Sequence, residues 1–242
     1  MQHEPFGRRF GTTRWSIVLA AGGPATPDSR NATAALFEQY WYPLYAYLRR
    51  AGHEASDAED LVQGFLLRLL EKDGLQSADP QRGRFRSFLL VALKHFVINE
   101  WERRRAQKRG GEQTAVSLDL RSGEERFRRE PQDESTPETV YERQWALTTL
   151  DRALERLRAE CQAAGKEGLF EHLRPYLSSS AEAPRHADTA AATGMTEGAV
   201  KVAVHRLRRR CGDLLREEIA GTVSSREELQ EEVDYLIAAA GR

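Results

Sequence analysis

The sequence has little cysteine, no long apolar run and almost no net charge. Cys161 and Cys211 are the two cysteines among 242 residues. They stand in neither a metal-binding nor a redox spacing, so a disulfide framework is not expected and a reducing cytoplasm fits. No stretch approaches the apolar length of a membrane helix, and the N-terminus lacks the apolar centre of a signal peptide. We therefore expect a cytoplasmic protein that does not bind a membrane.

The near-zero charge argues against a protein that binds DNA on its own. Lysine and arginine number 36 against 37 aspartate and glutamate, which gives a formal net charge of -1. A self-sufficient DNA-binding protein usually carries a basic surplus, because its cations replace the counterions of the phosphates. Here the basic residues are concentrated in patches, so their placement matters more than their sum.

The sequence also lacks the usual signs of catalysis. The six histidines show no metal-ligand spacing with cysteines or acids. No glycine-rich phosphate loop and no nucleophile motif occurs. We therefore predict no catalytic residue, no metal and no cofactor, and we do not expect an enzyme.

The apolar residues recur at helical spacing, and no stretch shows the alternation of a β-strand. We predict an all-α fold with two small helical domains joined by a flexible linker. The linker prediction rests on a segment that is rich in charged residues and poor in large apolar ones. The predicted divisions are an irregular N-terminal segment, a helical domain, the linker, a helix-turn-helix domain and an acidic C-terminal helix, at 1–30, 31–109, 110–139, 140–220 and 221–242.

A helix-turn-helix is predicted near the C-terminus. Small helix formers occupy residues 188–192, a turn follows at 193–196, and a longer helix starts at Glu197. The buried face of that helix is predicted from its spacing to hold Val200, Val204, Leu207 and Cys211. The cations rotate away from this face, as in a recognition helix that contacts DNA. The alternative is an ordinary amphipathic helix whose charged face is solvated.

A second basic segment lies in the N-terminal half of the chain. Aromatic residues run through residues 85–101, and a basic run follows at 103–109. Aromatic rings beside cations suit single-stranded DNA, since the rings stack on unpaired bases and the cations bind the backbone. The alternative is that Phe88, Phe96 and Trp101 are core residues.

An acidic helix precedes the basic segment. Asp57, Glu59 and Asp60 have no compensating cation within residues 54–63. This surface suits a basic partner, and the alternative is that the carboxylates stabilise the N-terminus of their own helix. The apolar residues of this helix form one predicted stripe, made of Ala58, Leu61, Val62, Phe65, Leu66 and Leu69.

Three of these segments, in this order, resemble the extracytoplasmic-function sigma factors of the sigma-70 family. Residues 57–63 resemble the region 2 helix that grips the largest subunit of RNA polymerase. Residues 83–109 resemble the part that melts and reads the −10 element, and residues 195–208 are similar to the region 4 helix that reads the −35 element. The resemblance implies that core RNA polymerase and promoter DNA are the partners and that the chain carries out no bond chemistry.

The resemblance also implies a set of site residues. The residues expected at the −10 element are Arg84, Arg86, Lys94, Asn99, Arg103, Arg104 and Arg105. Those expected at the −35 element are Lys201, Val202, His205, Arg206, Arg208 and Arg209, with Arg209 and Arg210 on phosphates. The polymerase contacts implied are Asp57, Asp60 and Gln63.

The chain departs from the family pattern at two places. Gly64 stands where many relatives carry glutamate, so the polymerase contact is expected to depend on Asp60 and Gln63. Val202 and Ala203 replace residues that are often polar in the recognition helix, which favours apolar contact with thymine methyl groups or readout of DNA shape.

Two further features bear on partners and regulation. Residues 13–16 and the acidic C-terminal helix resemble a subgroup found with signalling kinases, which implies a kinase or an anti-sigma factor as a partner. The acidic helix is expected either to complete the core of the second domain or to cover the recognition helix as an electrostatic brake. The alternative to a sigma factor is a stand-alone helix-turn-helix regulator, which leaves the acidic helix and the first basic segment unexplained.

Overall fold

The computed structural model describes residues 27–70, 84–106, 121–130, 134–177, 183–220, 223 and 225–241. These residues form α-helices and one short 3-10 helix, and no β-strand occurs among them. The all-α prediction is therefore confirmed. The predicted irregular segment lies outside the described residues up to residue 26, including residues 13–16, and residues 27–30 already belong to the first helix.

The described residues contain nine α-helices and one 3-10 helix. In chain order they are α1 (Pro27–Arg50), α2 (Ala55–Leu70), α3 (Phe85–Ala106), α4 (Arg121–Arg128), α5 (Pro137–Ala163), α6 (Glu167–Leu173), a 3-10 helix (Arg174–Leu177), α7 (His186–Thr193), α8 (Glu197–Ile219) and α9 (Arg226–Ala240).

The chain divides into two compact units. Unit 1 comprises residues 1–148 and 220–242, and unit 2 comprises residues 149–219. The division falls inside α5, whereas the sequence predicted a break in the segment 110–139. The C-terminal helix α9 belongs to unit 1, so unit 2 is inserted in the chain between two parts of unit 1.

The core of unit 1 is built on α1, α2 and α3. The predicted stripe of α2 is confirmed, since each of its six apolar residues from Ala58 to Leu69 is buried. Tyr40 of α1 and Phe85 of α3 are each 1% exposed, and their rings meet edge to face with 5.5 Å between centroids. Burial of such rings supplies most of the apolar contact that holds the three helices together.

Part of the predicted linker is helical and packs on α1. Glu124 of α4 accepts hydrogen bonds from the Tyr45 hydroxyl (2.7 Å) and from Nε of Arg49 (3.0 Å). Gly123 lies so close to Trp41 that a Cβ added there would stand 2.7 Å from the indole ring. The sequence predicted a linker here because polar pairs and a glycine contact hold α4 on α1. Neither kind of contact produces a periodic pattern of apolar residues.

Unit 2 contains two helices, α7 and α8, joined by a turn where the sequence predicts a helix-turn-helix. Gly194 has a φ of 68°, which is the left-handed conformation expected at the turn. The Thr196 hydroxyl accepts a hydrogen bond from the Ala199 amide at 3.2 Å and so caps the start of α8. Val200, Val204 and Leu207 are buried as predicted, and Cys211 is half-buried.

The C-terminal helix α9 lies elsewhere than the sequence suggested. Both expectations for it placed the acidic helix on the second domain, whereas it packs within unit 1. Val233, Leu236 and Ala239 are 6%, 0% and 1% exposed. The physical reason is a buried arginine of α3, described below, which needs an anionic partner that α9 supplies.

Two adjacent leucines of α2 test the register of that helix. Leu66 is 3% exposed and Leu67 is 50% exposed. We expect Leu66→Ala to lower the free energy of unfolding by about 2–5 kcal/mol, because it leaves a cavity. Leu67→Ala, the matched control, should change it by less than about 0.5 kcal/mol. Urea denaturation followed by circular dichroism makes the comparison, and equal losses would contradict the register.

Candidate nucleic-acid interface

Arg86, at the start of α3, is enclosed by unit 1. Its side chain is 5% exposed, and it forms a two-point contact with Glu232 of α9, with Nε to Oε1 at 2.7 Å and the second nitrogen to Oε2 at 3.2 Å. The guanidinium lies 4.3 Å from the ring centroid of Tyr235 and 4.8 Å from that of Trp145. The two rings interact with the faces of the guanidinium, and the Glu232 carboxylate accepts its hydrogen bonds, so the buried charge is fully compensated.

The prediction that Arg86 contacts DNA does not agree with this geometry. Burial alone would lower the pKa of Arg86, but the hydrogen bonds and charge of Glu232 outweigh that effect and raise the pKa above its ordinary value. The side chain therefore stays charged and is occupied inside the unit. The sequence placed it among the DNA contacts because a cation beside an aromatic run gives no sign of a carboxylate 146 residues later.

Arg84 borders the same contact but is more open. Its side chain is 31% exposed, and it reaches Glu232 at 2.8 Å and Glu231 at 3.7 Å. Its guanidinium lies 5.7 Å from the ring centroid of Tyr235. Arg84 and Arg86 thus share one buried carboxylate, and Arg84 is the member of the pair that solvent reaches.

Lys94, which lies further along α3, also has a partner within the protein. Its ammonium group donates to Glu138 of α5 at 2.7 Å, and both side chains are about half exposed. This hydrogen bond is the main cause that lowers the pKa of Glu138, and it also raises the pKa of Lys94. An exposed pair of this kind exchanges partners easily, so Lys94 stays accessible to another anion.

The C-terminal end of α3 is an exposed basic and aromatic surface of unit 1. Asn99, Arg103, Arg104 and Arg105 are all exposed. Trp101 is 61% exposed, and the Arg105 guanidinium lies 5.1 Å from its ring centroid. An open indole with a cation beside it is the arrangement that stacks an unpaired base and binds its phosphate.

A shallow groove lies beside this surface. It has a volume of about 290 Å³ and is lined by Phe65, Arg68, Leu69, Phe88, Val91, Ala92, His95, Phe96 and Asn99. Gly64 is adjacent, because a Cβ added there would stand 3.2 Å from the Phe96 ring. The close approach of that ring gives a physical reason for glycine at this departure from the family pattern.

The acidic surface predicted for polymerase lies on α2. Asp57 and Asp60 are exposed and Gln63 is half-buried. Asp57 is already engaged by a predicted DNA-binding residue, since its carboxylate lies 3.3 Å from Arg104. Burial, followed by the nearby charges of Asp60 and Glu124, raises the pKa of Glu59. The raised pKa of Glu59 reflects its burial and the like charges that this face brings together around it.

Helix α8 exposes the residues predicted to face DNA to solvent within unit 2. Lys201, Val202, His205, Arg206, Arg208 and Arg209 are all exposed. Nε of Arg208 donates to the backbone carbonyl of Tyr176 at 2.9 Å, which fixes the direction of that side chain. Half of the Val202 side chain is open, as an apolar contact with a base would need.

Arg210 does not agree with its prediction as a phosphate contact. It binds both oxygens of Glu160, at 2.6 and 2.8 Å, and lies 3.2 Å from Glu217. These hydrogen bonds, Glu160 first, raise its pKa. Glu160 lies on α5, so Arg210 ties α8 to α5 inside unit 2.

Unit 2 also holds an apolar groove of about 650 Å³ beside α8. Its walls come from α5, α6 and the first half of α8, and they include Leu157, Phe170, Met195, Val202, Ala203 and Leu207. Val202 and Ala203, the departures from the family pattern, therefore border both solvent and this groove.

A comparison with known protein families supports the part of this interface that lies on α2 and α3. Residues 36–107 match the family model for Sigma-70 region 2. The match supports a sigma-70 family sigma factor. It covers most of α1 and all of α2 and α3, the helices that carry the acidic surface and the exposed basic end. No curated protein and no solved structure matches the chain.

The described residues also bear on two other functions, metal binding and membrane insertion. They contain no cluster of three or more His, Cys, Asp or Glu that could hold a metal ion. None of the described helices is both long and apolar enough to cross a membrane.

Sequence reasoning missed two groups at the site. Trp101 was weighed as a core residue, although its position among arginines at the end of α3 was a signal of exposure. The carboxylate of Glu232 was missed as the partner of Arg86, and no local pattern would have found it. Its helix was recognised only as acidic.

Two adjacent arginines of α8 test which cation is occupied internally. In Arg210→Met the pKa of Glu160 should rise toward its ordinary value, because the hydrogen bond that chiefly lowers it is lost. The stabilisation from that pair is present above the ordinary pKa and lost as the pH falls through the lowered one, so the variant should lose stability at neutral pH and little in acid. Arg209→Met is the matched control, and carboxyl NMR titration with thermal melts makes the comparison. An unchanged Glu160 titration in Arg210→Met would contradict the assignment.

Proposed function

We propose that the protein is a sigma factor that binds core RNA polymerase and directs it to promoters through a −10 and a −35 contact. The observation that carries the proposal is an ordered pair. A match to Sigma-70 region 2 lies in unit 1, and two helices joined by a turn, with exposed cations on the second helix, lie in unit 2. Either half alone fits other classes of DNA-binding protein, whereas the pair suits a factor with two promoter contacts.

Unit 1 offers separate surfaces for the two partners. The acidic face of α2, with Asp60 and Gln63, suits a basic surface of polymerase, because opposite charge steers association and fixes register. The end of α3, with Trp101, Asn99 and the arginine run, suits the single strand of an opening promoter. Asp57 and Arg104 neutralise each other where the two surfaces meet.

Unit 2 supplies the second promoter contact. The exposed face of α8 enters the major groove of the −35 element, with His205 and Arg206 toward base edges. Val202 contacts a thymine methyl group. Arg209 binds a phosphate and sets the register of the helix without reading sequence.

The protein contributes binding and positioning and no bond chemistry. RNA polymerase carries out synthesis, while the sigma factor places the enzyme and helps to open the duplex. The finer assignment, an extracytoplasmic-function factor, is supported by the order of the segments in the sequence. A signalling kinase or an anti-sigma factor as partner is supported by the resemblance of residues 13–16 and the acidic C-terminal helix, and a cytoplasmic location by the scarcity of cysteine.

A second candidate is a stand-alone helix-turn-helix regulator. It is favoured by one observation, that unit 2 is a compact unit of continuous chain and contains the whole helix-turn-helix. Such a regulator needs neither polymerase nor the exposed end of α3. Polymerase binding and promoter-directed transcription therefore separate the two functions.

Charge reversal on α2 tests the polymerase contact. Asp60→Arg should weaken binding to core RNA polymerase by about tenfold or more, because it sets a cation against a basic surface. Asp151→Arg, an equally exposed acid of unit 2, is the matched control and should bind as the unaltered protein does. Affinity is measured by fluorescence anisotropy, with run-off transcription as the functional readout. Equal affinities for the two variants would count against the assigned surface.

DNA binding without polymerase gives an independent test. The net charge is -1, and several cations are paired internally, so few counterions can be released on binding. The isolated protein should bind promoter duplex only weakly at physiological salt in a gel-shift assay, and adding core polymerase should restore sequence-specific binding. Tight, specific binding by the isolated protein would favour the stand-alone regulator.

A further inference from the structure

The C-terminal helix α9 brings negative charge to the start of α3. It carries five acidic residues and one arginine. Its apolar face, with Val233 and Leu236, is buried in unit 1. Glu232 lies on the same buried face, and although its side chain is a carboxylate it is 1% exposed. The helix therefore delivers one anion to a site where two arginines meet.

These two arginines are chemically suited to a different anion. A guanidinium fork binds a carboxylate and a phosphate oxygen pair with the same two-point geometry. Glu232 takes this place at Arg86 with contacts of 2.7 and 3.2 Å, and it reaches Arg84 at 2.8 Å. A nucleic-acid phosphate approaching α3 would compete with this carboxylate for the same hydrogen bonds.

The contact between Glu232 and the two arginines is also open to solvent on one side, where a phosphate could replace the carboxylate. Arg84 is 31% exposed, and its second partner, Glu231, is 72% exposed and 3.7 Å away. A phosphate can therefore reach Arg84 before Arg86 is uncovered. A buried ion pair is costly to desolvate, so it specifies where α9 docks more than it adds net stability.

We propose that α9 is an autoinhibitory latch. In the free protein Glu232 and Glu231 hold Arg84 and Arg86 in place of nucleic-acid phosphates. When promoter DNA is bound, phosphates replace these carboxylates and α9 leaves the start of α3. The latch rests on the proposed function, because it assumes that α3 contacts promoter DNA.

Hydrogen–deuterium exchange on the unaltered full-length protein tests the latch directly. It is measured for the protein alone, with core polymerase, and with core polymerase and a promoter fragment that supports run-off transcription. Adding the promoter should speed amide exchange in residues 226–240 by about tenfold or more, because the helix leaves its docking site. Residues 137–147 of α5, which pack in the same unit, should stay protected, and this distinguishes release of α9 from unfolding of unit 1.

The possible outcomes are distinct. If transcription proceeds while residues 226–240 stay protected, the latch is wrong, α9 is a fixed part of unit 1 and the proposed function stands. If the protein neither binds core polymerase nor supports transcription from any promoter fragment, the proposed function is wrong and the latch is wrong with it.

Two neighbouring substitutions add a second readout. Glu232→Gln removes the carboxylate shared by both arginines, and at limiting protein it should raise transcript yield by about tenfold, as expected from the loss of a charge-assisted contact. Asp234→Asn removes an equal charge from an exposed acid of the same helix, which binds Gln230, and should leave the yield unchanged. A thermal melt of each variant accompanies the assay. Should Glu232→Gln unfold below the assay temperature, the exchange measurement on the unaltered protein decides.

Discussion

The docking of α9 in unit 1 depends on the contact between Arg86 and Glu232. Burying a guanidinium is costly unless its charge and hydrogen bonds are matched. Here Glu232 binds the fork, Tyr235 and Trp145 cover its faces, and the Tyr141 hydroxyl donates to the Arg86 carbonyl at 2.9 Å. One side chain of α3 thereby fixes the positions of α5 and α9, two helices outside the residues that match Sigma-70 region 2.

The same principle explains how a protein with no basic surplus can still present cationic surfaces. Many of its cations form ion pairs that join helices. Arg49 binds Glu124, Arg156 binds Glu217 and Glu218, and Arg210 binds Glu160. Among the described residues, exposed cations lie at the end of α3 and along α8, and others are scattered over the remaining helices. The net charge is near zero because lysine and arginine nearly equal aspartate and glutamate in number, and the arginines include some that hold helices together and some that face outward.

Apolar periodicity predicted the all-α fold, the stripe of α2 and the buried face of α8, because each is a local property of one helix. It could not predict α4, whose position rests on Glu124 and on a glycine against Trp41. Nor could it place α9 or Arg86, since periodicity reports which face is apolar and not which carboxylate meets which cation. Among the candidate site residues, those on α8 from Lys201 to Arg209 are exposed as expected, whereas Arg86 and Arg210 have internal partners.

The separation of Arg86 from Glu232 along the chain has a consequence for synthesis. The two residues are 146 positions apart. At ~5–20 residues per second, a ribosome needs on the order of ten seconds to make the intervening chain. During that interval the nascent first unit carries an arginine without its designated carboxylate, next to ribosomal RNA. Unit 2, encoded in the continuous stretch 149–219, lies wholly between these two partners in the chain, so the half of the protein that begins first is completed last.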